Sequence, residues 1–155
     1  MGRVKILQPE NRLAKILDDD HGSTAEQLAA VADRRLEGLS SGLRSYVYEQ
    51  SAHVVGFYSQ GEESLFTNCL ALSETAMNIA EVAGAADLPE LGDVARGIRA
   101  MIDGLVVSGV WHTDALKVHI AALALLTGDM PPSTGEVKLM LQRLQQMRAA
   151  VGVVE

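Results

Sequence analysis

Residues 76–90, AMNIAEVAGAADLPE, contain the predicted end of one helix and the predicted start of the next. Apolar residues up to Ala83 keep a helical spacing, and Gly84 is a typical C-terminal stop. Asp87 is predicted to cap the following helix, with Pro89 in its first turn. Because so short a connection leaves little room for a crossover, the two helices are expected to be antiparallel neighbours.

The same spacing predicts helices on both sides of this stretch. The upstream helix begins near Glu62, and its buried stripe is predicted to comprise Leu65, Cys69, Leu72, Ala76, Ile79, Ala80 and Ala83. The downstream helix ends at Ser108-Gly109, and its predicted buried residues are Leu91, Val94, Ile98, Met101, Ile102 and Leu105. A further helix, capped by Thr113, contains AALALL, which is apolar nearly all round and predicts the most buried helix.

A long helix is predicted before these. Ser23-Thr24-Ala25-Glu26 has the form of a capping box, in which a hydroxyl and a glutamate three residues later satisfy backbone N–H groups. Steps of three and four, apart from one gap of seven that spans Gln50, then connect apolar residues over about 35 residues, or about 50 Å. These residues are Leu28, Ala32, Leu36, Leu39, Leu43, Val47, Val54 and Phe57. Gly42 and the preceding serines are the place where a bend is expected.

A second capping-box pattern, Ser133 to Glu136, predicts a last helix with Val137, Met140, Leu141, Leu144 and Met147 on its apolar side. The predicted fold is all-α: an antiparallel up-and-down four-helix bundle with a short N-terminal arm and an extra C-terminal helix. Residues 1–22 are expected to form the arm, and residues 23–155 are expected to form a single domain.

Charge and composition narrow the classes of partner. The net charge is −7 and no Lys or Arg lies between Arg44 and Arg96, so neither nucleic acid nor a membrane surface is an expected partner. No apolar run reaches the ~18 residues that span a bilayer, and the first residues lack a secretory-signal pattern. A single cysteine, Cys69, fits a reducing compartment and a small buried apolar role. A cytoplasmic location is expected.

Residues able to hold a metal ion or to catalyse are present without the required spacing. Residues 18–21, DDDH, lack the alternating ligands of a calcium loop. His112 and His119, near Asp114, are seven residues apart, which is about 10 Å along a helix and too far for one zinc ion. No nucleophile pattern or phosphate-binding loop occurs. The sequence therefore predicts no metal, no cofactor and no enzyme activity.

The helix end followed by LPEL at residues 88–91 resembles the histidine phosphotransfer (Hpt) family, four-helix bundles that relay phosphoryl groups between histidine kinases and response regulators. In that family a bundle helix carries His-x-Leu-Lys-Gly. Aligned with this chain, the histidine position falls on Met77, the lysine on Ala80 and the glycine on Glu81. Met77 has no nucleophilic nitrogen, Ala80 supplies no cation, and Glu81 adds bulk and negative charge. The resemblance thus implies a degenerate member that lacks the phosphoacceptor histidine.

Such a member is expected to be a non-catalytic binding or regulatory module in bacterial two-component or chemotaxis signalling. The resemblance implies a response-regulator receiver domain or a histidine kinase as its partner. Helical geometry places Phe66, Leu70 and Met77 in a half-exposed apolar strip, bordered by Glu74 and Glu81. We call Phe66, Leu70 and Met77 the docking strip, and Glu74 and Glu81 its acidic border. An apolar patch with a charged border is typical of a contact surface.

Two alternatives stay open. The long first helix exceeds what helices of ~20 residues can cover, which favours a homodimeric structural or assembly protein paired through that helix. A phosphotransfer protein that uses a displaced phosphoacceptor is the other alternative. His119, which follows Lys117 by two residues, is the candidate for that role.

Overall fold

The computed structural model describes residues 24–59 and 61–153, and every regular element in that part of the chain is an α-helix. The helices are α1 (Ala25–Ser59), α2 (Glu62–Thr67), α3 (Cys69–Ala83), α4 (Pro89–Ser108), α5 (Thr113–Thr127) and α6 (Thr134–Ala150). The all-helical prediction is confirmed for these residues. The arm predicted at residues 1–22 lies outside the described residues.

The chain divides into two compact units, residues 1–37 and residues 38–155, with the boundary inside α1. In the described part of the first unit, residues 24–37, no side chain is buried. In the second unit, α1 buries Val47, Ser51 and Val54. The predicted apolar stripe of α1 is therefore buried only in its C-terminal half.

The start of α1 is capped one residue later than predicted. The Thr24 backbone N–H donates to Gln27 Oε1 at 3.0 Å, and the Gln27 N–H donates to Thr24 Oγ1 at 3.2 Å. These two residues have the same spacing as the predicted pair Ser23 and Glu26, and their side chains offer the same two acceptors. Ser23 itself lies outside the described residues. The helix continues through Gly42 without a break.

The second unit has one apolar core, to which α3, α4, α5 and α6 contribute with the C-terminal half of α1. Helix α4 packs against α3, α5 and α6, and α5 also packs against α6. Although α5 is apolar nearly all round, Val118 and Leu125 are exposed on it. The predicted α4 stripe is buried throughout, as Leu91, Val94, Ile98, Met101, Ile102 and Leu105.

Small residues bring α3 and α4 close together. A Cβ atom placed on Gly92 would lie 3.2 Å from the Ala83 Cβ, which is closer than ordinary van der Waals contact. A side chain at position 92 would require the Ala83 methyl group to move, so the glycine permits the close approach of α3 and α4.

The connection between α3 and α4 differs from the prediction by one residue. Helix α3 ends at Ala83 with Gly84 as C-cap, as predicted, but the N-cap of α4 is Leu88 and not Asp87. Asp87 instead adopts a positive φ of 57°, a conformation that Asp tolerates better than most residues. Its carboxylate accepts a hydrogen bond from Arg44 at 3.1 Å, so it joins this connection to α1.

Two other helix starts also differ from the prediction, one through a local contact and one through a contact distant in sequence. The predicted single helix from Glu62 to Ala83 is interrupted at Asn68, whose Nδ2 donates to the Ser64 carbonyl at 2.9 Å. Asparagine often competes with the helix for backbone partners in this way. Thr113 is the first residue of α5 and not its cap, and its hydroxyl donates to the Glu62 carboxylate.

Candidate functional site

The docking strip is exposed in the second unit. Phe66 is 63% exposed, Leu70 is 73% exposed and Met77 is 36% exposed. The other large apolar residues of the same segment, Leu65, Leu72 and Ile79, are fully buried in the core. Leu70 and Met77 are seven residues apart, close to two full turns, so they occupy one face of α3.

Glu74 and Glu81 are exposed on α3, four residues after Leu70 and Met77 respectively. That spacing places each glutamate one turn beyond an apolar residue of the strip. The predicted combination of an apolar centre with an acidic border is therefore present on α3. Phe66 lies on the preceding helix, α2, because Asn68 separates the two helices.

A tryptophan that the sequence does not place in the strip contacts it. The rings of Phe66 and Trp111 meet edge to face, with centroids 5.3 Å apart and planes 79° apart. This arrangement is favourable for aromatic pairs beyond the area that it buries. Trp111 is partly buried, and its Nε1 has no hydrogen-bond partner among the described residues. The aromatic pair fixes the end of the strip that is formed by α2.

A cation also lies beside Met77, although the residues near it in sequence supply none. The guanidinium of Arg99, on α4, donates a hydrogen bond to the Met77 sulfur. Arg99 also donates through Nε to Asp103 Oδ2 at 3.3 Å. On α3 itself, the position three residues after Met77 is Ala80, which supplies no cation. Because Arg99 comes from the neighbouring helix, helical spacing within α3 does not reveal it.

His119, the candidate phosphoacceptor, is fully buried on α5. Its Nδ1 lies 2.7 Å from the Ala115 carbonyl oxygen, which only accepts, so Nδ1 carries the proton. The Nε2 lone pair faces Arg148 Nη1 at 3.5 Å. Burial lowers the pKa of His119, and the charge of Arg148 lowers it further, while the bond to Ala115 raises it. Both ring nitrogens thus face protein atoms.

A glycine on α4 makes room for this buried pair. A Cβ atom on Gly97 would lie 2.6 Å from Arg148 Nη1 and 2.9 Å from His119 Cδ2, so no other residue fits there without displacing one of them. Arg148 itself is only 8% exposed. Helices α4, α5 and α6 therefore meet at these three residues, which have the features of a packed structural contact.

Potential metal ligands are scattered in the part of the chain that the structure describes. No three His, Cys, Asp or Glu side chains there come close enough together to hold an ion. The DDDH run at residues 18–21 lies outside the described residues. Cys69 is partly buried against the core. Among the described helices, none combines the length and the apolar character needed to cross a membrane.

The described part of this chain is thus an all-helical protein with an exposed apolar strip and a buried histidine. No protein-family model, no curated protein and no solved structure matches the chain.

Proposed function

We propose that the protein is a non-catalytic, Hpt-like binding module of bacterial two-component or chemotaxis signalling, located in the cytoplasm. Its core would be an up-and-down four-helix bundle formed by the C-terminal half of α1 with α3, α4 and α5, and α6 would be the extra helix. The packing of α4 against α3 and α5 is consistent with that arrangement, as are Val47 and Val54 of α1 in the same core.

The observation that carries the proposal is the exposure of Phe66, Leu70 and Met77, while Leu65, Leu72 and Ile79 of the same segment are fully buried. Leaving these side chains partly exposed forgoes part of the free energy of burial, which is about 1.5–3 kcal/mol when a large apolar side chain is buried completely. A partner that covers these side chains would recover that free energy. The acidic border, Glu74 and Glu81, favours a partner surface with an apolar centre and basic residues around it.

The module would bind without accepting a phosphoryl group. At the family's histidine position, Met77 offers a thioether, which is a weak acceptor and not a nucleophile for phosphate. His119 is buried, with Nδ1 bonded to Ala115 and Nε2 facing Arg148. We take a receiver domain as the partner, with a histidine kinase as the alternative outcome of the test.

The test measures binding of purified receiver domains and kinase cytoplasmic portions, encoded by the same genome, to the full chain by calorimetry. One receiver is expected to bind saturably, and Leu70→Glu is expected to weaken it at least tenfold, which is about 1.4 kcal/mol. The matched control is Leu125→Glu, an exposed leucine on α5 that is not part of the strip. Binding by a kinase alone would replace the receiver as the partner.

Two results would contradict the proposal. One is equal loss of binding with Leu70→Glu and Leu125→Glu, because the strip would then have no special role. The other is phosphohistidine at His119 after incubation with a phosphorylated receiver, detected by mass spectrometry, because the module would then be catalytic.

A separate observation favours a homodimer through α1 as the second candidate function. In the first unit, Leu28 is 59% exposed, Val31 is 42% exposed and Leu36 is 63% exposed. They lie within about 140° of one another around the helix, so a second copy could bury all three together. A homodimeric assembly protein would be built in this way.

Light scattering coupled to gel filtration tests the homodimer. A dimer is expected for the unmodified chain, and Leu28→Lys/Leu36→Lys is expected to be monomeric. Ala30→Lys is the matched control, because residue 30 is about 200° around the helix from residue 28. A monomer at all concentrations, or dissociation by the control substitution as well, would remove this candidate.

A further inference from the structure

A groove of about 600 Å³ lies between α4 and α6 in the second unit. Three arginine side chains line it, Arg96, Arg99 and Arg148, although the chain as a whole has a net charge of −7. Asp93 and Asp103 are the carboxylates in the lining. A concave site with three guanidinium groups in an acidic protein favours an anionic ligand.

The two exposed arginines keep donors available for a ligand. Arg96 donates to the Asp93 carboxylate through Nη2, and Arg99 donates to Asp103 through Nε and to the Met77 sulfur through Nη1. A guanidinium has five N–H groups, so several on each arginine are left without a partner among the described residues. Exposed ion pairs within one helix are weak, so the aspartates orient the guanidiniums without competing strongly with a ligand.

The third arginine adds a fixed positive charge at the side of the groove formed by α6. Arg148 is nearly buried, and the absence of a side chain at Gly97 lets its guanidinium lie against α4. Its charge is also one cause of the lowered pKa of His119, after burial. Leu141, on the same helix, is only partly buried and gives the groove an apolar surface beside these charges.

We propose that this groove binds a small organic phosphate. A phosphate has three acceptor oxygens and a charge of about −1.5 to −2, which suits two guanidiniums better than one carboxylate does. Arg96 and Arg99 are three residues apart on α4, so both can reach one phosphate. The organic part would contact Leu141, and the volume lies in the range of small-molecule sites. The groove shares Arg99 with the surroundings of the docking strip, because that guanidinium also donates to the Met77 sulfur, whereas Arg96 lines the groove without an observed contact to the strip.

The experiment titrates the full chain with phenyl phosphate by calorimetry at fixed ionic strength, and then with inorganic phosphate and with phenol. Phenyl phosphate is expected to bind saturably, inorganic phosphate more weakly, and phenol not at all. Arg96→Gln and Arg99→Gln are each expected to lower the affinity for phenyl phosphate at least tenfold. Circular dichroism checks that the variants keep their helices.

Arg143→Gln is the matched control. Arg143 lies on α6, is exposed and donates to Gln146 Oε1 at 3.1 Å, but it is not part of the groove. The proposal is overturned if phenyl phosphate does not bind saturably, or if Arg143→Gln weakens binding as much as the two groove substitutions. Inorganic phosphate binding as tightly as phenyl phosphate would overturn the assignment of an organic ligand.

Discussion

At the scale of single residues, His119 and Arg148 bring two ionisable side chains into an apolar interior, where an uncompensated charge is costly. The cost is limited because His119 is held neutral: its Nδ1–H donates to Ala115, and its Nε2 lone pair faces the guanidinium of Arg148. A protonated imidazole would present N–H groups on both nitrogens and would repel Arg148. The pair therefore requires the neutral form of His119.

This requirement predicts a pH dependence of stability. The pKa of His119 is lowered in the folded protein from the usual 6.5, so the unfolded chain takes up a proton first as the pH falls. The contribution of His119 to stability is complete above pH 6.5 and is lost as the pH falls from there through the lowered pKa. Each unit by which the pKa is lowered corresponds to about 1.4 kcal/mol.

Urea unfolding between pH 5 and pH 8 checks this for the unmodified chain and for His119→Gln. The unmodified chain is expected to lose stability more steeply toward low pH, because the glutamine does not titrate. Parallel curves would contradict the prediction, since the remaining groups would then account for the whole dependence.

Gly97→Ala is expected to destabilise the protein by about 1–3 kcal/mol, as other overpacked cores are. The new Cβ would overlap Arg148 Nη1 and His119 Cδ2, and the buried surroundings restrict the movement of either side chain. The control is Gly42→Ala in α1, where nothing lies within 4 Å of the new atom. That substitution is expected to stabilise by about 0.4–1 kcal/mol. Thermal unfolding of both variants tests this prediction, and equal changes in their stability would contradict it.

At the scale of helices, the ends that depend on neighbouring residues could be predicted from the sequence. Gly109 ends α4 in a left-handed conformation, and Ser133 with Glu136 begins α6, both where local patterns place them. Two of the helix starts that the sequence misplaced depend on distant partners. Asp87 pairs with Arg44, and Thr113 bonds to Glu62, so neither side chain caps the helix that its position suggests.

Ser133→Ala tests the contribution of the predicted cap on α6. The Ser133 backbone N–H and hydroxyl donate to Glu136 Oε2 at 2.9 and 2.7 Å, and the same bonds lower the pKa of Glu136. Loss of an N-terminal serine typically costs about 1 kcal/mol, which is the expected loss in chemical unfolding. Thr134→Ala, at the first helical residue, is the control and is expected to leave stability nearly unchanged. The prediction fails if the two variants unfold alike.

At the scale of the whole molecule, the apolar part of the candidate site could be predicted and its polar surroundings could not. Leu70 and Met77 follow from the period of α3, because one helix alone decides which face they occupy. Arg99 and Trp111 come to Met77 and Phe66 from other parts of the chain, which requires knowledge of how the helices pack. In the first unit, too, helical spacing alone does not tell which residues are covered by another helix. The apolar stripe predicted on α1 continues there, but its side chains are exposed.

The distribution of buried residues predicts that the second unit folds without the first. The buried apolar residues of the described chain run from Val47 to Leu144, all within residues 38–155. A chain that begins at Gly38 is therefore expected to keep cooperative thermal unfolding. Its unfolding midpoint should lie within about 4 °C of that of the full chain, which corresponds to about 1 kcal/mol in the free energy of unfolding. It should also be monomeric if Leu28 and Leu36 form the dimer contact, while its affinity for a receiver and for phenyl phosphate stays unchanged. Calorimetry and light scattering measure these properties, and loss of the cooperative transition would show that residues 1–37 are needed for the core.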